Sequence, residues 1–196
     1  VVTNAEVCEF IDSSDEWIRE RSGIVERRWA GEGESVVFMA AEAAKIAINR
    51  AGIEPTDIGL IMLGTVSHPY PFPSAAVEVG EIIGARGTPA FDFAAACAGF
   101  CYGVGMAADI IRGGSAKYIL VIGVERLTDV VNKHDRGTSF IFADGAGAAV
   151  IGPSDIPGIG PIVWGGDGSQ KDAITVTASI NDFRDGLVPD YPTAVM

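Results

Sequence analysis

The stretch IGLIMLGTV, residues 58–66, is almost wholly apolar and is only nine residues long. A short, continuous apolar run of this kind is typical of a strand that is covered on both faces of a sheet. YILVIGV at 118–124 has the same character, and AFDF at 90–93 predicts a shorter buried strand between the two. Together these runs predict the central strands of an α/β sheet.

Helical segments separate these strands. Ser35 precedes an alanine-rich segment at 36–50, and Ser74 precedes a segment at 75–83 that stops before Gly84. A serine ahead of a helix accepts hydrogen bonds from its free amides, and a glycine after it ends it. Further helices are predicted within 4–21 and over 97–111, and further strands over 146–151 and around 174–180. The alternation indicates a layered α/β domain with a sheet that is at least partly parallel.

The composition excludes several classes of protein. Of the 196 residues, 48% are hydrophobic and 20% are charged, which is enough apolar material for a sizeable core. The net charge of −12, without a long run of like charge, argues against a nucleic-acid partner. No apolar run reaches the roughly 20 residues that a membrane span needs, and the first residues lack the pattern of a signal peptide. With only three cysteines, an odd number, we expect reduced thiols and a soluble, cytoplasmic protein.

The segment FDFAAACAGF, residues 91–100, places three alanines and then Cys97 between a predicted strand and a predicted helix. Small residues allow a tight turn there, and a cysteine at a helix N-terminus lies beside free amides and the positive end of the helix dipole. That environment favours the thiolate, which is the nucleophile of acyl transfer. The local pattern leaves an alternative open, in which Cys97 is a small buried apolar residue.

Other motifs are weaker. Cys101 follows Cys97 by four residues, but only His68 and His134 could complete a metal site, so we predict no metal and assign Cys101 to the core. DGAGAAVIG at 144–152 resembles a phosphate loop, but its third glycine is misplaced, and a turn leading into a strand explains it better. GxSxG, Walker A, complete GxGxxG and HExxH motifs are absent, which weakens hydrolase, nucleoside-triphosphatase and dinucleotide-binding hypotheses.

Four separated motifs follow the order found in one known family. They are SSDEWIRERSGIVERR at 13–28, FPSAA at 72–76, ACAGF around Cys97, and HDRGTSFIFADGAGAAV at 134–150. Together they closely resemble β-ketoacyl-acyl-carrier-protein synthase III. The resemblance implies a thiolase-like fold, which is a five-layered αβαβα sandwich of two βαβαβαββ halves in an enzyme that is usually a homodimer. On this basis we assign 1–152 to an N-terminal half that lacks its first strand, and 153–196 to the start of the connection toward the C-terminal half.

The resemblance also implies a reaction. Cys97 matches the nucleophile that takes an acyl group from acyl-coenzyme A, which is a substrate, and no resident cofactor is expected. Malonyl-acyl carrier protein is then decarboxylated, and its carbanion attacks the thioester. Trp17, Arg21 and Arg136 match residues that bind coenzyme A, with the adenine held between a flat ring and a guanidinium. From the residues alone, a packed tryptophan and two solvated arginines would be the simpler interpretation.

Three further residues match the family's acyl pocket. Phe72 corresponds to the residue that reaches across the dimer to close the partner's pocket, although an ordinary buried aromatic would give the same local pattern. Leu127 and Phe142 correspond to residues that line the pocket, so their sizes should influence which starter acyl group is accepted. Discrimination by volume is worth only about 1–3 kcal/mol per methylene.

Some groups of the family's mechanism have no match in this chain. The catalytic His and Asn, and the glycine whose amide completes the oxyanion hole, belong to the second half, and His68 and His134 match other positions. We therefore predict a fragment of a longer protein or a chain completed by another chain. The hypotheses are an acyltransferase that initiates fatty-acid synthesis, a related polyketide-type enzyme, and a non-catalytic half-subunit.

Overall fold

The computed structural model describes residues 1–188 and 193–195. The chain forms two compact units. The first unit contains Val1–Ala30, Arg126–Asp144 and Trp164–Met196, and the second contains Gly31–Glu125 and Gly145–Val163. The predicted boundary between 1–152 and 153–196 is a different division, made along the sequence toward a second half, and it stays a prediction.

The described residues form eight strands and six α-helices. The strands are β1 (Val2–Thr3), β2 (Glu26–Arg27), β3 (Ile58–Gly64), β4 (Ala90–Phe93), β5 (Tyr118–Arg126), β6 (Asp144–Ile151), β7 (Thr175–Val176) and β8 (Ala194–Val195). The helices are α1 (Asn4–Val7), α2 (Asp15–Ser22), α3 (Val36–Ala51), α4 (Ala75–Ile83), α5 (Gly99–Arg112) and α6 (Ile180–Arg184). No helix in these described parts is long and apolar enough to cross a membrane.

The main sheet has the strand order β4-β3-β5-β6. Its central strand, β3, pairs in parallel with both β4 and β5. The carboxyl ends of these three strands therefore meet at one edge of the sheet. In open α/β sheets, ligands and reactive groups lie at that edge.

The continuous apolar runs are explained by cover on both faces of the sheet. From β3, Ile61 and Leu63 pack into a cluster with α3 and α4, whereas Met62 packs into a second cluster with α5. The side chains of β5 alternate in the same way: Leu120 packs into the cluster with α3 and α4, and Val121 packs into the cluster with α5. Since side chains alternate along a strand, a strand buried on both faces must be apolar at every position.

The helix ends follow the predicted capping. The side chains of Ser35 and Ser74 accept hydrogen bonds from the third amides of α3 and α4, and Gly52 and Gly84 end these helices in the left-handed conformation. The segment 4–21 contains two helices, and the second begins at Asp15, where the Ser14 side chain accepts a hydrogen bond from the Trp17 amide. One prediction needs correction. The segment 97–111 begins as a 3₁₀ turn over Ala96–Ala98, and only then becomes α5.

The first unit contains shorter elements held by buried polar groups. Strands β1 and β2, neither of which was predicted, pair antiparallel. The buried guanidinium of Arg27 donates to Asn4 Oδ1 at 2.6 Å and to the carbonyls of Phe140 and Val2. Around 174–180, where we predicted strand, only β7 is extended, and Ile180 begins α6 instead.

Candidate active site

Cys97 lies at the turn between β4 and α5 in the second unit. Its thiol is exposed rather than buried, and it sits in the 3₁₀ turn two residues ahead of the helix. Ala96, directly before it, has φ +42°, the only positive φ at a non-glycine residue in the described chain. An L-residue in that region is strained, and such strain concentrates at functional sites. The backbone therefore presents the thiol on a sharp turn, as nucleophilic chemistry requires.

The main chain closes a 3₁₀ turn ahead of α5, in which the Ala98 amide donates to the Ala95 carbonyl and the Gly99 amide donates to the Ala96 carbonyl. Ala98 provides no side-chain hydrogen bond to the helix, and neither does Ala95 to the preceding turn. The positive end of the helix dipole lies at such a helix start. Cys97 is exposed directly ahead of it, where a substrate can reach the thiol.

Cys101 is exposed, which corrects its assignment to the core. On α5, Gly99, Gly103 and Ala107 are buried, and they recur every four residues on one face. Cys101 is offset from that face by two residues, about half a helical turn, and so it lies away from the sheet.

Two carboxylates lie at the carboxyl edge of the same sheet. The carboxylate of Asp92, in β4, accepts hydrogen bonds from the amides of Ala75 and Ala76 at 2.7 and 2.8 Å. These bonds hold the N-terminus of α4. Glu125, in β5, accepts hydrogen bonds from the segment that follows β3, including the Ser67 hydroxyl at 2.5 Å and the Val66 amide at 3.0 Å. Burial raises the pKa of Glu125, against hydrogen bonds that lower it.

A cavity of about 250 Å³ opens beside these carboxylates in the second unit. His68 lines it, with a side chain that is 6% exposed and with ring nitrogens that have no hydrogen-bond partner among the described residues. The Glu78 carboxylate lies 4.0 Å from its Nε2 atom. Phe93 and Ala94, on the segment leading to Cys97, line the same cavity.

Sequence reasoning missed the part that Glu125 and Asp92 play at this edge. A signal for both was present, because each is a single acidic residue in or at the end of an otherwise apolar strand, in FDF and in YILVIGVER. A charged residue in such a position usually has partners for its charge. What the sequence could not give was the identity of those partners.

The first unit brings together Trp17, Arg21 and Arg136. The Arg136 guanidinium lies 4.5 Å from the centre of the Trp17 ring, and that of Arg21 lies 5.5 Å from it. Phe140 meets the ring edge-on, with centroids 5.2 Å apart. Both arginines are exposed. Three residues from two distant segments thus form one aromatic–guanidinium cluster, which can stack on a flat ring and contact phosphate.

Local structure explains where Trp17 lies. It is the third residue of α2, and its amide donates a hydrogen bond to the Ser14 side chain that caps the helix. The next residue, Ile18, is fully buried. The buried Ile18 fixes the helix on its unit, so Trp17 lies half-buried beside it.

The three acyl-pocket residues have different surroundings. Phe72 is 82% exposed, on the proline-rich segment before α4 in the second unit. Leu127 and Phe142 are half-buried in the first unit. Phe142 lines a cavity of about 10 Å³, the size of one water molecule rather than of an acyl group. The pocket roles of these three residues stay predictions.

Comparison with known proteins gives the family. A family model described as 3-oxoacyl-[acyl-carrier-protein (ACP)] synthase III matches residues 91–168, which include Cys97. The β-ketoacyl-[acyl-carrier-protein] synthase III of Kocuria rhizophila is 50% identical over 184 residues, 94% of this chain and 52% of the relative. That of Streptomyces glaucescens is 47% identical over 192 residues, 98% of this chain and 58% of the relative.

Solved structures agree in fold. The priming β-ketosynthase from the R1128 polyketide biosynthetic pathway has a TM-score of 0.97 and 41% identity, over 100% of this chain and 58% of that chain. The 3-oxoacyl-[acyl-carrier-protein] synthase III of Aquifex aeolicus VF5 has a TM-score of 0.77 and 44% identity, over 79% of this chain and 50% of that chain.

The α/β fold is that of the thiolase-like condensing enzymes, which confirms the predicted fold class. Within that class, the chain belongs to the β-ketoacyl-[acyl-carrier-protein] synthase III family, as the four motifs predicted. The chain spans about half the length of the curated relatives it matches.

Proposed function

We propose that this chain supplies the acyl-accepting half of a β-ketoacyl-acyl-carrier-protein synthase III that initiates fatty-acid synthesis. The observation on which the proposal rests is the exposed Cys97 thiol, between the strained Ala96 and the uncapped start of α5, inside the segment that matches the family model.

In the first step, the Cys97 thiolate attacks the thioester carbon of acyl-coenzyme A. The main-chain amides at the start of α5 stabilise the negative charge of the attacking sulfur. The tetrahedral intermediate collapses, the bond to coenzyme A breaks, and its thiolate leaves with the electron pair. The product is an acyl-Cys97 thioester.

In the second step, malonyl-acyl carrier protein loses carbon dioxide, and the resulting carbanion attacks the acyl-Cys97 carbon. A carbon–carbon bond forms, and the Cys97 thiolate leaves and is regenerated. We expect the groups that stabilise the developing charge, a His, an Asn and a second oxyanion-hole amide, to come from a C-terminal half or a complementary chain.

The aromatic–guanidinium cluster of Trp17, Arg21 and Arg136 fits the nucleotide end of coenzyme A. The indole offers a face for the adenine, and the two exposed guanidinium groups offer stacking and phosphate contacts. We further propose a homodimer in which the highly exposed Phe72 reaches the partner's pocket, with Leu127 and Phe142 lining the chain's own pocket. A cytoplasmic location and the absence of a resident cofactor belong to the same proposal.

A second candidate function is the priming of polyketide synthesis by the same acyl transfer. It is favoured by the TM-score of 0.97 with a solved priming β-ketosynthase, over the whole of this chain. The two functions share the chemistry at Cys97 and differ in the starter acyl group and the carrier protein.

The acylation test uses the complete protein with radiolabelled acetyl-coenzyme A and with longer or branched acyl-coenzyme A esters. We expect a covalent acyl-enzyme that Cys97→Ala abolishes, whereas Cys8→Ala and Cys101→Ala, the matched thiol controls, retain it. Selective iodoacetamide labelling of Cys97 over the other two cysteines should accompany it. Acylation that persists in Cys97→Ala would overturn the proposal, and equal, slow labelling of all three thiols would favour a non-catalytic half-subunit.

The coenzyme A contacts have a separate test. Arg136→Ala and Trp17→Ala should each raise the KM for acyl-coenzyme A about five- to tenfold, since such contacts are worth about 1 kcal/mol. An acyl thioester of N-acetylcysteamine, which has no nucleotide, should show no such change and serves as the control substrate. Equal changes with both substrates would show that the cluster has a structural role only.

A further inference from the structure

Glu125 makes a set of contacts that the acyl-transfer steps do not use. Its carboxylate accepts hydrogen bonds from the Ser67 hydroxyl at 2.5 Å, the Thr65 hydroxyl at 3.2 Å and the Val66 amide at 3.0 and 3.2 Å. All of these donors belong to three consecutive residues that directly follow β3, 58 to 60 positions earlier in the chain. One side chain thus fixes a whole turn.

This turn lies beside the path to the nucleophile. Strand β3 pairs in parallel with β4, whose last residue, Phe93, is in register with Gly64. Val66 is 49% exposed and lines the cavity of about 250 Å³ that Phe93 and Ala94 also line. The Cα atom of Ala94 is at most about 11 Å from that of Cys97, because only three peptide units separate them. Val66 and the segment that leads to Cys97 therefore line the same cavity.

The contact uses both oxygens of the Glu125 carboxyl group. Its two oxygens accept from three donor groups at once, whereas a glutamine offers a single acceptor oxygen. The donors are neutral, and burial raises the pKa of Glu125, against the hydrogen bonds that lower it. A half-buried carboxyl group that accepts from three neighbouring residues, at the edge of the sheet where the chemistry lies, points to a role beyond packing.

We propose that Glu125 is a positioning residue that fixes the turn Thr65–Ser67, and through it holds Val66 as a wall that selects the acyl group accepted by Cys97. The inference rests on the proposed function, because it assigns a specificity determinant to the same site. Glu125 itself need not touch the substrate.

The test measures selection rather than total activity. In the complete protein, kcat/KM for acyl transfer to Cys97 is measured with a short and a longer acyl-coenzyme A, and their ratio is compared across variants. Glu125→Ala should raise the relative rate of the longer substrate about tenfold, the scale of one methylene in a specificity pocket. Val66→Ala should shift the ratio in the same direction, and Glu125→Gln, which keeps one acceptor, should shift it less. Glu42→Gln, an exposed glutamate on α3, is the matched control and should leave the ratio unchanged.

Hydrogen exchange at the Val66 amide reports on the turn itself. We expect faster exchange in Glu125→Ala and unchanged exchange in Glu42→Gln. If Glu125→Ala fails to fold, Thr65→Val and Ser67→Ala each remove one donor while leaving the carboxylate in place, and they should shift the ratio in the same direction by a smaller amount.

The outcomes separate the two proposals. A wild-type protein that is not acylated at Cys97 overturns both. A wild type that is acylated, with variants whose rates for both substrates fall equally at an unchanged ratio, overturns only the role of Glu125. Faster exchange of the Val66 amide with an unchanged ratio of kcat/KM for the two substrates would also overturn only the role of Glu125.

Discussion

The two compact units build their candidate sites in different ways. In the second unit, Cys97 is placed by the main chain, through the end of β4, a strained alanine and the start of α5. In the first unit, side chains on short elements form the aromatic–guanidinium cluster, and the supporting structure is a polar network around the buried Arg27. A reactive atom needs a fixed position, which a sheet edge provides, whereas a stacking surface tolerates movement of its long side chains.

The difference predicts that each unit is sensitive to a different kind of change. The first unit should depend on single buried hydrogen bonds, and the second on packing and on helix termini. The following four changes test that contrast in the complete protein, from the largest expected effect to the smallest.

Arg27→Ala should lower the free energy of unfolding by about 3 kcal/mol. It removes hydrogen bonds to Asn4, Phe140 and Val2 and leaves the Asn4 amide oxygen buried without this donor. Urea unfolding measures the change, and the exposed neighbour Arg28→Ala is the control, with an expected change within about 0.5 kcal/mol. Equal effects of the two substitutions would mean that the polar network does not hold the first unit.

Gly103→Val should destabilise the second unit by about 2 kcal/mol through overpacking. A Cβ atom at this position of α5 would lie 2.8 Å from Val121 Cγ1 and 2.9 Å from Phe93 Cζ. Because Phe93 ends the strand that leads to Cys97, iodoacetamide labelling of Cys97 should change as well. Gly147→Val, at a position in β6 with no atom within 4 Å of the added Cβ, is the control for thermal or urea unfolding. A stable Gly103→Val variant with unchanged labelling would contradict the packing explanation.

Asp92→Ala should cost about 1–2 kcal/mol, the usual effect of losing a helix cap. The carboxylate accepts the Ala75 and Ala76 amides, and these two donors at the start of α4 would lose their partner. The exposed Asp109→Ala removes a surface ion pair with Arg112 and should change stability by about 0.5 kcal/mol or less. An equally small loss of stability in Asp92→Ala and Asp109→Ala would contradict the role of Asp92 at the start of α4.

The smallest expected effect is a pH dependence at Glu125. Because burial raises its pKa in the folded protein, the folded state binds this proton more tightly than the unfolded state does. The stability contributed by this group is therefore greatest below the ordinary glutamate pKa and is lost as the pH rises through the raised value. Glu125→Gln has no carboxyl group to titrate. The free energy of unfolding of the wild type, minus that of Glu125→Gln, should therefore fall as the pH rises through the raised pKa. Urea unfolding at several pH values measures this difference. A constant difference would contradict the raised pKa.

Much of the second unit could be predicted from the sequence because its signals are local. The apolar runs of β3 and β5, and the serine and glycine ends of α3 and α4, each involve residues within a few positions of one another. The first unit was harder, since β1 and β2 are two residues long and too short to show a period.

The sequence by itself determined the alternation of strands and helices, the family, and the residue types at both candidate sites. Only the tertiary structure decided which groups meet: Arg136 with Trp17, Glu125 with Ser67, and Arg27 with Phe140, the last two pairs 58 and 113 positions apart. Hydrophobic period and capping are properties of neighbours along the chain, so composition and spacing report them. Contacts between distant residues depend on how strands pair and helices pack, and a carboxylate or a guanidinium in the sequence gives no indication of the partner that the fold brings to it.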